Sequence, residues 1–169
     1  MAAATPTHQH RHEAHQHEAE PRRVDAEDLH RTAAALLRDA GLRYTGSRRA
    51  VVDVLWRAAR PMTLPEILAD DDGLAQSSAY RNLGELETAG VVRRIVTSDE
   101  RSHFELAEDV GGEHHHHLIC VVCGAVADFT VPADLEARID AAAAAVDTEG
   151  RFVVDHHRLD LVGRCATCA

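Results

Sequence analysis

The chain has only four cysteines, and they constrain it more than any other feature. They form two Cys-x-x-Cys pairs, Cys120/Cys123 and Cys165/Cys168, with residues 124–164 between them. No apolar run approaches the ~20 residues of a membrane span. The N-terminus lacks the apolar segment of a signal peptide, so the protein is expected in the cytoplasm, away from membranes. In a reducing cytosol such pairs bind metal more readily than they form disulfides. Four thiolates at this spacing fit a closed, tetrahedral structural zinc site. Zinc there would clip the C-terminus onto the body of the protein and contribute directly to folding. A redox switch through the same cysteines is the alternative.

The first pair stands inside the stretch EHHHHLICVVCG, residues 113–124. The segment reads as a strand, in which successive side chains point to opposite faces. His115 and His117 then share one face, and His114 and His116 the other. One strand can thus supply two imidazoles to each of two separate metal sites. Further ligands must come from elsewhere, with Glu105, Asp128, Glu136 and either His156 or His157 as candidates. Mixed imidazole–carboxylate sites suit Zn²⁺, Fe²⁺, Mn²⁺ or Ni²⁺. They hold metal less tightly than four thiolates, as a reversible sensor requires. His30, His103 and His156 read as structural or solvated.

Charge is unevenly spread. The net charge is −10, and all 18 basic residues are arginine. Residues 99–169 carry most of the excess acid and are a plausible place for cations. Residues 41–98 are close to balanced, and their arginines, gathered on one face, could meet phosphates. Residues 1–24 are His-rich with almost no apolar content beyond alanine, and are expected to be disordered.

Four helices are expected next, over AEDLHRTAAALLRDAG, SRRAVVDVLWRAA, TLPEILADD and SSAYRNLGELETAG. Gly41 and Gly90 stop the first and last. Thr63 and Glu66 have capping-box spacing, with Pro65 in the first turn. Ser77 or Ser78 is expected to cap the fourth helix. A hairpin follows, Val91–Val96 and Ser102–Leu106, turning at SDER. Helices followed by a hairpin make a winged helix-turn-helix whose fourth helix enters the major groove. That helix presents Ser77, Ser78, Tyr80 and Arg81, chemistry suited to phosphates and base edges. Arg43, Arg48 and Arg49 flank the start of the second helix, placed to touch the DNA backbone or minor groove. Beyond residue 113, strands over HHHHLICVV and GAVADFTV, a helix over PADLEARIDAAAAAV and a long strand over RFVVDHHRLDLVGRC are expected. The chain is therefore α+β: a tail (1–24), a winged-helix DNA-binding domain (25–107), and a small α+β dimerisation domain (108–169) with a three-stranded sheet. The last buries little alone, so a homodimer is the natural way to complete it.

GLRYTGSRRAVVDVL, SSAYRNLGELETAGVVRR, FEL, HHHHLICVVCG and DHHRLDLVGRCATC together resemble the ferric uptake regulator family of metal-responsive repressors. The match runs in order from about Asp25 to Cys168. The resemblance implies structural zinc on Cys120, Cys123, Cys165 and Cys168. It implies a hinge sensory site of Glu105, His115, His117 and Asp128, and a second site of His114, His116, Glu136 and His157. It implies DNA contacts from Tyr80 and Arg81, a phosphate contact from Arg48 and a minor-groove probe in Arg43. It implies a palindromic double-stranded operator as partner and Zn²⁺ or Fe²⁺ as regulatory metal, with Ni²⁺ or Mn²⁺ as alternatives.

Three positions depart from the family's pattern. Met62 stands where iron-type members place a histidine, Ala107 where zinc-uptake regulators place a cysteine, and His116 where a carboxylate is common. Two other functions compete: a peroxide-sensing repressor on the same scaffold, and a metal-storage protein. No His-Glu-x-x-His motif or obvious general base is present, so no catalytic residue is assigned and an enzyme is not expected.

Overall fold

A computed structural model describes residues 24–97, 101–112, 114–147 and 153–169. The His-rich tail up to residue 23 and the hairpin tip at 98–100 lie outside the described residues.

The first part is helical. Helix α1 (Ala26–Asp39) is capped by the Asp25 carboxylate and buries Leu29, Ala33 and Leu37, each one turn on from the last. It stops at Gly41, where φ is +72° and the Leu42 amide reaches back to the Leu37 carbonyl at 2.8 Å. That left-handed turn is cheap only for glycine. Helix α2 (Gly46–Ala58) is capped by Thr45 and buries Val51, Val52, Val54 and Leu55. Helix α3 (Leu64–Asp70) carries the expected capping box of Thr63 and Glu66. Helix α4 (Gln76–Thr88) turns Ala79, Leu83 and Leu86 inward and ends at Gly90 with the same motif as α1.

The cap of α4 differs from expectation. Ala75 occupies the N-cap with no side-chain bond, and Ser77 and Ser78 lie exposed within the first turn. Leu74 is buried and anchors the chain one residue earlier, so the helix begins before either serine can cap it.

Strands β2 (Val92–Val96) and β3 (Ser102–Leu106) form the expected antiparallel hairpin. A two-residue strand, β1 (Met62–Thr63), adds to the free edge of β3. Too short to show periodicity, it was not foreseeable. Neither was helix α5 (Glu108–Gly111), whose Val110 packs into the helical core.

The second sheet has the order β5-β4-β6. Strand β4 (His116–Cys120) pairs antiparallel with β5 (Val126–Phe129) and parallel with β6 (Asp160–Gly163). The long final strand is shortened to four residues, with residues 151–152 outside the description. The chain pairs only where β4 offers backbone, from His117↔Asp160 to Cys120↔Gly163. Helix α6 (Ala133–Asp147) is mostly exposed, with no buried side chain among those described. No helix among the described residues is long and apolar enough to cross a membrane.

Candidate metal centres and DNA-facing helix

Three clusters each bring four ligand atoms within 4.8 Å of one another. The first is Cys120, Cys123, Cys165 and Cys168. Strand β4 delivers Cys120 to a turn that closes through Gly124, and the parallel β4–β6 register sets the C-terminal pair alongside. The sulfurs of Cys123 and Cys165 are 3.7 Å apart. Backbone amides of Cys165, Cys123 and Val122 point at the Cys120 sulfur and lower its pKa to about 6. The Thr167 hydroxyl and Cys168 lower Cys165. Crowding against the other sulfurs, Cys165 and Cys123 first, pushes Cys168 up to about 12. Four sulfurs this close cannot all ionise without a cation between them, so the donor set fits a divalent ion.

The second cluster joins the two parts of the molecule. Glu105 comes from β3, while His115, His117 and Asp128 come from the second sheet and its approach. Glu105 Oε2 lies 3.1 Å from His115 Nε2 and 3.2 Å from His117 Nε2. His117↔Asp128 are cross-strand partners. Glu105 is only 5% exposed and His117 is fully buried. Burial alone would raise the Glu105 pKa. Hydrogen bonds from His115 and His117, with the charges of His117 and Arg93, outweigh it and hold the carboxyl well below the usual range. Burial, aided by the Glu105 charge, raises Asp128. Asp160 Oδ1 meets His117 Nδ1 at 3.3 Å, leaving Nε2 turned to the cluster. Met62 contributes nothing here: its side chain is buried in the helical core.

The third cluster is His114, His116, Glu136 and His157. His116 Nε2 is 3.1 Å from Glu136 Oε2. Glu136 Oε1 lies 3.0 Å from His114 Nε2 and 2.7 Å from His157 Nε2, yet makes no hydrogen bond. His114 Nε2 and His157 Nε2 face each other at 3.2 Å. Glu108 takes up His114 Nδ1 at 2.7 Å and Asp140 takes up His157 Nδ1 at 3.1 Å. Both rings are thereby oriented to direct Nε2 lone pairs inward, the arrangement that metal-binding imidazoles need. Three imidazoles and one carboxylate converging on one point make a donor set that fits a cation. A cavity of about 400 Å³, lined in part by His114, His116, Glu136 and Asp140, opens beside this cluster. His156, the alternative to His157, is exposed and belongs to none of the clusters.

The four histidines fall into the pairs His114/His116 and His115/His117, and His114 and His115 precede β4 rather than lie within it. Arg93, Glu108, Asp140, Asp160 and Arg158, which holds Asp160 at 3.0 Å, were not anticipated. Two had a usable signal. Arg93 pairs with Glu105 in hairpin register, and Asp140 follows Glu136 by one helical turn.

On α4, Tyr80 is 69% exposed and Ser77 and Ser78 are open to solvent. The Arg81 side chain is 78% exposed, its Nε 3.2 Å from Glu85. Arg43 is exposed. Arg48 is not where a phosphate contact needs it. It is buried, and its guanidinium is spent on the Glu85 carboxylate and the Arg43 carbonyl. The start of α2 packs against α4, which turns this arginine inward. His30 is structural, bonded to the Tyr44 hydroxyl at 2.7 Å and paired with Asp53 at 3.0 Å.

A family model for the ferric uptake regulator family matches residues 39–162. The chain belongs to the ferric uptake regulator family. It is 31% identical to a ferric uptake regulation protein of Legionella pneumophila, covering 78% of this chain and 95% of that relative. It is 29% identical to a peroxide-responsive repressor of Staphylococcus aureus, covering 79% of this chain and 87% of that one. Its fold is similar to that of the Helicobacter pylori ferric uptake regulator, whose structure reveals three functional metal binding sites. There the TM-score is 0.64 at 26% identity, over 87% of this chain and 96% of that one.

Proposed function

We propose that the Glu105–His115–His117–Asp128 cluster is the sensory site of a homodimeric transcriptional repressor controlling metal-uptake or stress genes. Membership of the ferric uptake regulator family makes the chain a metal-responsive, DNA-binding repressor with structural zinc and a regulatory divalent metal. The assignment of sites is our reading. Cys120, Cys123, Cys165 and Cys168 hold the zinc, and His114, His116, Glu136 and His157 form a second site. Residues 25–107 act as the DNA-binding domain and 108–169 as the dimerisation domain.

One observation carries the sensory role: Glu105 stands on the wing hairpin, and its three partners stand on the other part of the molecule. A divalent ion bound there would fix the relative orientation of the two parts. Two copies of α4 could then match half-sites of a palindromic operator, with Ser77, Ser78, Tyr80, Arg81 and Arg43 at the DNA. Leu118 and Leu161, register partners on β4 and β6, are exposed on one face of the second sheet, an apolar patch that a second copy would cover. Two imidazoles with two carboxylates suit Fe²⁺ or Mn²⁺, whereas three imidazoles with one carboxylate lean to Zn²⁺ or Ni²⁺.

The test uses DNA selected from a random pool by metal-loaded protein. Binding should be lost on chelation that spares the thiolate-bound zinc and return on adding metal, and Glu105→Ala should abolish that response. Binding that survives such chelation rules the mechanism out. A peroxide-sensing variant is favoured by the similarity to the S. aureus repressor. It predicts a ligand histidine heavier by one oxygen after peroxide treatment of the Fe²⁺-loaded protein, read by mass spectrometry.

A further inference from the structure

We propose that Arg93 and Glu108 couple the two histidine–carboxylate clusters, so that metal in one raises the affinity of the other. The inference rests on the reading that both clusters take a divalent ion.

The link is continuous. Arg93 on β2 is the cross-strand partner of Glu105 on β3. Its Nε and Nη2 reach Glu105 Oε1 at 2.8 and 2.6 Å, while Oε2 faces His115 and His117. One carboxylate thus serves both the guanidinium and the sensory cluster, its Oε1 also standing 3.2 Å from His117 Nε2. Glu108 bridges likewise. Its Oε1 accepts from Arg93 Nη1 at 3.1 Å, and its Oε2 meets His114 Nδ1 at 2.7 Å. Because Nδ1 is taken up there, Nε2 of His114 is free to face Glu136 and His157. The chain from one cluster to the other is Glu105, Arg93, Glu108, His114.

The parts are suited to transmission. A guanidinium is planar, always charged and donates in a fixed fork. Arg93 is largely buried, so turning either carboxylate obliges the fork and the other carboxylate to follow. The link also crosses the joint. Glu108 rides on α5, which Val110 fixes in the helical core, whereas His114 leads into the second sheet.

One effect gives the coupling a positive sign. The ordering of Glu105, Arg93, Glu108 and His114 is a shared cost, largely met when the first cluster fills. The two carboxylates held against one guanidinium leave net negative charge between the sites, which offsets the repulsion between the two cations. Arg93 and Glu108 are positioning residues, acting through Glu105 and His114. By linkage the effect is reciprocal.

The probe is Co²⁺, titrated into zinc-loaded protein and followed by visible absorption and calorimetry. The Glu105 cluster is measured with the second cluster intact and with it disabled by His157→Ala. The expected result is an affinity about 5-fold or more tighter when the second cluster is intact. In a Glu108→Ala background that keeps two Co²⁺ per chain, the difference should vanish. Arg93→Gln, which leaves the Glu108–His114 bond in place, should collapse it equally. A difference that persists in both variants, or is absent from the wild type, overturns the coupling. A His157→Ala protein that takes up no Co²⁺ beyond its zinc removes the sensory reading itself, and the coupling with it.

Discussion

The two parts of the molecule are held together by different matter. Ahead of residue 112, the fully buried side chains are those of leucine, valine, isoleucine and alanine, such as Leu29, Val54, Leu83 and Leu86. From His114 on, the buried apolar side chains among the described residues are Ile119 and Cys120, and the fully buried ones are the imidazoles of His116 and His117. The first part is held by hydrocarbon withdrawn from water. The second gathers imidazoles, thiols and carboxylates, which repel or compete unless cations join them. Among the three clusters the first part supplies one ligand, Glu105, and the second supplies all the others.

The largest expected effect would break this contrast outright. Removing zinc, by strong chelation or Cys123→Ser, should unfold residues 114–169 while α1–α4 stay folded. Amide hydrogen exchange reads both regions together, and loss of protection in α4 as well would show one cooperative unit. Next in size, Leu83→Ala should destabilise the helical part by about 2–5 kcal/mol. The melting shift should be the same with and without zinc, and a zinc-dependent shift would erase the distinction.

Arg81→Ala should weaken operator binding by about 1–3 kcal/mol with the melting temperature unchanged. Arg48→Ala should instead lower the melting temperature of the helical part, because its guanidinium is buried on Glu85. Unchanged melting with uniformly weaker DNA binding would return Arg48 to the phosphate-contact role.

The smallest effect is in acid, on protein free of the hinge metal. A depressed carboxylate stabilises the fold fully above its unfolded pKa. The contribution fades as pH falls towards the folded value. The stability lost in Glu105→Gln should therefore be greatest at neutral pH and shrink below about pH 4.3. Urea midpoints across that range measure it, and a gap that widens in acid would contradict the sign.

Much of this was legible in the sequence because it rests on period and spacing. Leu29, Ala33 and Leu37 announce a helix, Gly41 and Gly90 its stops, and the alternation of His114 to His117 the split into two clusters. What was not legible depends on contacts between distant elements. Met62–Thr63 is a strand only because β3 has a free edge. Glu108 matters only because Val110 finds the helical core. Arg48 looked like a surface cation because nothing nearby in sequence reveals that Glu85 lies across from it. The long last strand was overread because a strand's length is set by its partner, and β4 is short.

Strand β4 and its approach put histidines on both faces, with His116 and His117 fully buried. A substitution along this segment for the sake of one cluster therefore moves the backbone that carries the other. Asp128, Glu136 and His157 each belong to a single cluster, to a different segment of the chain, and stand outside the link from Glu105 to His114. Those three positions are where a lineage of such proteins is free to drift from one metal to another.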